Sequence, residues 1–144
     1  MVHDDAKAPP DSRFIQAQEL QAVPIETDEF YKLVMIARVC YEALRIYDHL
    51  MSRDLSNTVE WLGAEQYQVD ECIAGARQVL VTPGITVREF HSRWMADKHR
   101  DGWTLGPQHD PIRKANPFLV KFEELPERHL TKYKLFIAIV NALG

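Results

Sequence analysis

The sequence predicts a mostly α-helical domain of about four helices, with a short β-hairpin or ordered loop ahead of the last helix. Three observations predict it. Apolar residues recur at three- and four-residue spacing in four separate stretches, capping residues punctuate those stretches, and five helix-resistant residues crowd the segment from Trp103 to Pro126. With 144 residues, 46% of them hydrophobic, the chain can supply one core and hardly two. The organisation expected is a flexible N-terminal arm over 1–26 and one domain over 27–144.

The arm contains Pro9, Pro10 and Pro24, shows no sustained period, and is assigned no chemistry, with Phe14 to Leu20 the one candidate for a short ordered piece. Its polar, acidic start lacks the basic residues and apolar block of a secretory signal. The longest apolar stretches, around Leu33 to Cys40 and Leu135 to Leu143, fall short of the ~20 residues a membrane span needs. A cytoplasmic protein is therefore expected, and two cysteines in apolar helical patterns, Cys40 and Cys72, read as small core residues.

From Thr27, with Thr27 and Asp28 as caps, Phe30, Leu33, Val34, Ala37, Cys40, Tyr41, Leu44 and Tyr47 define a core helix of about five turns. Ser52 to Thr58 is a polar connection. A second helix follows with Val69, Cys72, Ile73, Ala76, Val79 and Leu80 on one face, and Pro83 and Gly84 end it. Thr86-Val87-Arg88-Glu89 has the form of a capping box and starts a third helix, whose stripe is Val87, Phe90, His91, Trp94, Met95 and Lys98. Gly102 is placed for a left-handed C-terminal cap. Between it and the last helix, Gly106, Pro107, Pro111, Pro117 and Pro126 resist helix, leaving Phe118 to Phe122 as the only plausible strand. Pro126 suits the first turn of a final helix with Leu130, Tyr133, Ile137 and Val140 on its core side.

A formal charge of −4 argues against affinity for nucleic-acid polymers. The charge is uneven: residues 1–87 carry 7 Lys/Arg against 14 Asp/Glu, whereas 88–114 carry 6 against 4. No spacing places two metal ligands together, nucleophile motifs and phosphate-cradling glycine loops are missing, and no cofactor is called for. What stands out is His91, Trp94, Lys98, Arg100 and Trp103. His91, Trp94 and Lys98 share a helix face, and a cap at Gly102 folds Trp103 toward it. Indoles beside cations can receive a purine carrying phosphates. The competing reading is packing, because a Trp on an apolar helical stripe is more often core.

Taken in order, His91-Ser92-Arg93-Trp94, Asp101-Gly102-Trp103-Thr104-Leu105-Gly106-Pro107, Asp110, Lys114-Ala115-Asn116-Pro117, Leu119-Val120-Lys121-Phe122 and Glu124-Leu125-Pro126 resemble the RyR domain. This is the repeat of ryanodine receptors, found also in small prokaryotic and phage proteins. Upstream, Ile36 to Arg45 is similar to the first helix of the prokaryotic versions, so the resemblance spans about residues 30–144. It departs from the family pattern at Tyr41 and Asn116, where the family has His, at Leu44, where it has Asn, and at Leu105, where it has Tyr.

The resemblance implies a helical recognition module and not a catalyst, binding an adenine or ADP-ribose-type small molecule. It makes His91, Trp94 and Trp103 the candidate wall, with Tyr41 at a departed position, and Arg38, Arg45, Lys98 and Lys114 candidate phosphate partners. Receptors use the repeats in pairs, so it implies a homodimer. Sensing or sequestration would be the output, for instance by a phage sponge for a host immune nucleotide. Two alternatives stand beside it: a protein-interaction module without small-molecule ligand, and an enzyme with His91 and Glu42 as an acid/base pair.

Overall fold

In the computed structural model, which describes residues 27–52 and 59–144, four helices pack around one core and a two-strand sheet lies ahead of the last helix. The arm expected over 1–26, and residues 53–58 of the connection after Ser52, lie outside the described residues. Helix α1 spans Thr27–Ser52, α2 Gln66–Val81, α3 Val87–Arg100 and α4 Glu127–Leu143. At 26 residues, α1 is longer than the five turns its apolar spacing predicts. The additional length has a tertiary cause. Near its C-terminal end Asp48 receives Arg128 at 2.9 Å and Lys132 at 2.8 Å, both from α4. Burial alone would raise the Asp48 carboxyl, but hydrogen bonds and charge from Lys132 and Arg128 outweigh it and hold the pKa below the ordinary value.

The core forms where the inward stripes meet: Phe30, Leu33, Val34, Ala37 and Cys40 of α1, Val69, Ile73, Ala76 and Val79 of α2, and Tyr133, Phe136, Ile137 and Val140 of α4. Gly75 permits this approach, since a Cβ there would stand 3.1 Å from the Phe136 ring. Between α1 and α2 a 3₁₀ turn, Trp61–Gly63, inserts Trp61 fully into the core. Sequence periodicity does not reveal that anchor, because Trp61 sits on no helical stripe. Helix α2 begins with a capping box in which the Gln68 side chain accepts from the Glu65 amide at 3.0 Å. At the start of α3 the Thr86 hydroxyl accepts from the Glu89 amide at 3.1 Å.

The strands differ in place and direction from the expectation. Thr104–Leu105 (β1) and Ala115–Asn116 (β2) pair in parallel, with Thr104 opposite Ala115, and Asp110 adds an antiparallel bridge to Ala115. Phe118 to Phe122 is not a strand. Pro117 removes a backbone donor and the Asn116 side chain accepts from the Phe118 amide at 2.8 Å, so the chain turns there and ends in a 3₁₀ turn, Phe122–Glu124. Among the described residues no helix is long and apolar enough to cross a membrane.

Ile73, wholly buried where α2 meets α1 and α4, tests the core. Ile73→Ala should lower unfolding free energy by about 2–5 kcal/mol in urea denaturation.

Candidate functional site

Helix α3 sets the candidate residues in a row, and its C-terminal cap closes the row. The Trp103 amide donates to the Lys98 carbonyl at 2.9 Å and the Gly102 amide to the His99 carbonyl at 3.0 Å, with Gly102 at φ +86°. These two bonds form a Schellman cap, and they turn Trp103 back along α3. The Lys98 ammonium then lies 4.3 Å from the centroid of the Trp103 ring, a cation–π contact, while also pairing with Glu71 of α2.

His91 occupies a different environment from the one a ligand wall requires. It is 1% exposed. Its Nε2 lies 2.7 Å from the Val120 carbonyl and its Nδ1 2.8 Å from the Tyr133 hydroxyl. A carbonyl only accepts, so Nε2 carries the proton and donates, and Nδ1 accepts from Tyr133. The half-buried Trp94 lies against this fixed ring, with centroids 5.6 Å apart and planes 25° apart. Thus His91 sets the indole from behind, and Trp94 is the residue of the pair that reaches solvent.

A second aromatic group, absent from the sequence reading as a unit, continues the row. His109 stacks on Trp103 with a 5.7 Å centroid separation and on Tyr67 with 5.6 Å. Helix α2 meets the distant Trp103 to His109 segment here, so no local spacing could have announced Tyr67 or Glu71 as members. Lys114, at φ +53°, donates from Nζ to the Asp101 carbonyl at 2.8 Å. That bond ties the turn bearing β2 to the end of α3.

Arg38, Tyr41 and Arg45 face a different neighbourhood on α1. Tyr41 donates to the Val59 carbonyl at 2.5 Å and meets the Trp61 ring edge-on at 5.5 Å. Arg45 pairs with Glu42 at 2.8 Å, and Glu42 also accepts from the Trp61 amide at 2.8 Å. Burial would raise the Glu42 carboxyl, but the Trp61 amide, Arg45 and the nearby charge of Arg38 together lower it. Glu42 is thereby engaged with Trp61 and Arg45, and both His91 nitrogens with Tyr133 and Val120. Among the described residues no group of three or more His, Cys, Asp or Glu side chains is placed to hold a metal ion.

Compared with models of known families, residues 85–138 match the one described as RyR domain. The matched span runs from Ile85, just before α3, into α4, and so takes in Trp94, Lys98, Trp103 and the sheet. No solved structure matches the chain.

Behind His91, the His129 ring stacks on Phe118 at 4.0 Å and meets Tyr133 edge-on at 4.6 Å. Burial first, and then the charge of Lys132, depress its pKa to about 4. In the unfolded chain the same group titrates near ~6.5. Between those values the unfolded chain takes up a proton that the folded chain refuses. Stability should therefore fall as pH drops from about 6.5 toward 4, by on the order of 2–3 kcal/mol. His129→Phe should remove most of that slope in denaturation measured across the window, and an unchanged slope would assign it to other groups.

Proposed function

Since residues 85–138 of this chain match the RyR domain family, we propose that it binds a nucleotide-derived small molecule of adenine or ADP-ribose type without transforming it. The ligand lies along the α3 face formed by Trp94, Lys98 and Trp103. One observation carries this reading: Trp94 stays partly open while its ring is backed by a histidine whose two nitrogens are already bonded. A platform fixed in this way loses little freedom when a base stacks on it.

Lys98, one turn further along the same face, supplies a cation, with Glu71 as the partner a phosphate must displace. Of the remaining predicted cations, Lys114 is committed to the Asp101 carbonyl and Arg45 to Glu42, while Arg38 stands on α1. Stacking therefore contributes more than charge in this proposal. The output is sensing or sequestration, and a phage sponge for a host immune nucleotide would be one use of the latter.

A feature on the loop favours a second reading, a protein-interaction module. Ile112 is 95% exposed on a turn that the Asp110 carboxylate pins by accepting from the Ile112 and Arg113 amides, each at 3.1 Å. An apolar side chain held in water on a pinned turn suits docking into an apolar socket.

Thermal unfolding with ATP, ADP-ribose, cyclic ADP-ribose isomers and cyclic dinucleotides separates the two. A ligand present at ~100 times its dissociation constant should add roughly 2.7 kcal/mol of stability. Trp94→Ala should fold and lose the response, Trp94→Phe should keep part of it, and the nucleotide should be recovered unchanged by chromatography. A panel in which none of these compounds raises the melting temperature would give the interaction module the lead.

A further inference from the structure

Helix α1 has a second apolar stripe that the core does not use. Tyr31, Met35, Val39, Ile46 and Leu50 are each 43–64% exposed. At 3.6 residues per turn they fall within an arc of roughly 100° along one side of the helix. The spacing has a symmetry. Tyr31 and Leu50 are equidistant from the point between Cys40 and Tyr41, and so are Met35 and Ile46. Those two pairs are complementary to an antiparallel copy of the stripe, while Val39 comes level with Glu42 of that copy.

We propose that this face of α1 binds the same face of a second copy, antiparallel, about a twofold axis near Cys40 and Tyr41. The structure contains the receiving site as well as the stripe. Lys32, Met35, Ile36 and Val39 line a groove with Leu143 of α4 as an additional wall. Those four α1 positions are i, i+3, i+4 and i+7, the four-residue hole that accepts a knob from a facing helix. In the antiparallel register its centre is level with Ile46 of the second copy. By the twofold symmetry Ile46 of the first copy enters the second copy's groove in the same way.

Charge is consistent with this register. Arg38 and Glu42 flank the midpoint of the stripe, and the charge of Arg38 already acts on Glu42 within one chain. In the pair, each Arg38 comes level, to within one residue, with Glu42 of the other copy, whose carboxylate already holds Arg45 and the Trp61 amide. The contact lies on α1, outside the span of the RyR domain match, and does not depend on the ligand proposal.

Sedimentation equilibrium of the full chain from ~1 µM to ~1 mM tests it, with affinity read from the monomer–dimer balance. Wild type should dimerise within that range. Ile46→Glu and Met35→Glu, both at exposed positions, should keep the helical circular dichroism and weaken the dimer at least ~100-fold, because each places a charge in the seam. Val81→Glu, at an apolar residue of α2 that is 67% exposed, should leave association unchanged. Val39→Cys, nearest the axis in the stripe, should oxidise to a disulfide-linked dimer, whereas Val81→Cys should not. The native thiols interfere little, since burial pushes both Cys40 and Cys72 to a pKa of about 12. A monomeric wild type, or equal effects of Ile46→Glu and Val81→Glu, overturns the proposal and leaves the stripe to residues 1–26 of the same chain or to another protein.

Discussion

The arrangement around α3 depends on one buried imidazole. His91 joins three parts of the chain at once: it stands on α3, accepts from the Tyr133 hydroxyl of α4, and donates to the Val120 carbonyl of the preceding loop. Loss of either bond would leave a polar group unsatisfied in a dry interior, which is costly, so the ring has one tautomer and one orientation. Phe90, the adjacent residue on α3, packs on both Tyr133 and Phe136, so apolar and polar contacts set the same helix-to-helix placement. Trp94 inherits its position from that joint. His129 and Phe118 complete it from the far side, and the neutral state of His129 follows from the burial that the joint creates.

The exposed part of the site is organised by a different force. Trp103, His109 and Tyr67 are held ring to ring, with Lys98 over one member and Glu71 beside Lys98. None of these contacts requires a deep cavity, and each ring retains some contact with solvent or lies near it. In the proposed complex a flat aromatic ligand gains more from this surface than a compact anion would, because Lys98 is already paired with Glu71. Where Lys98 loses Glu71 to an incoming phosphate, the exchange costs one ion pair and creates another.

Helix α1 shows how one amphipathic element can serve two surfaces. Its inner stripe contributes Phe30 to Cys40 to the core, and Asp48 fastens its last turns to α4. The outward stripe does neither. A single-domain core of this size needs only one side of a 26-residue helix, so large apolar residues repeated on the other side call for a separate physical cause, and packing against an identical surface supplies one.

By itself the sequence determined the four helices of the described residues, the stripes that face the core, the Thr86 cap, the left-handed Gly102 and the identity of the α3 row, because each is written in spacing or backbone chemistry over a few residues. It also carried the motifs of the RyR domain from His91 to Pro126. Only the tertiary structure decided which member of that row is core and which is open: His91 and Trp94 have the same periodicity, and their difference lies in Tyr133 and Val120, which are 42 and 29 residues away in the chain. The full length of α1, the burial of Trp61, the parallel pairing of Thr104–Leu105 with Ala115–Asn116, and the meeting of Tyr67 with His109 were likewise set by distant partners. Local spacing records which side of an element is apolar, whereas the identity of what covers that side depends on chain segments that only folding brings together.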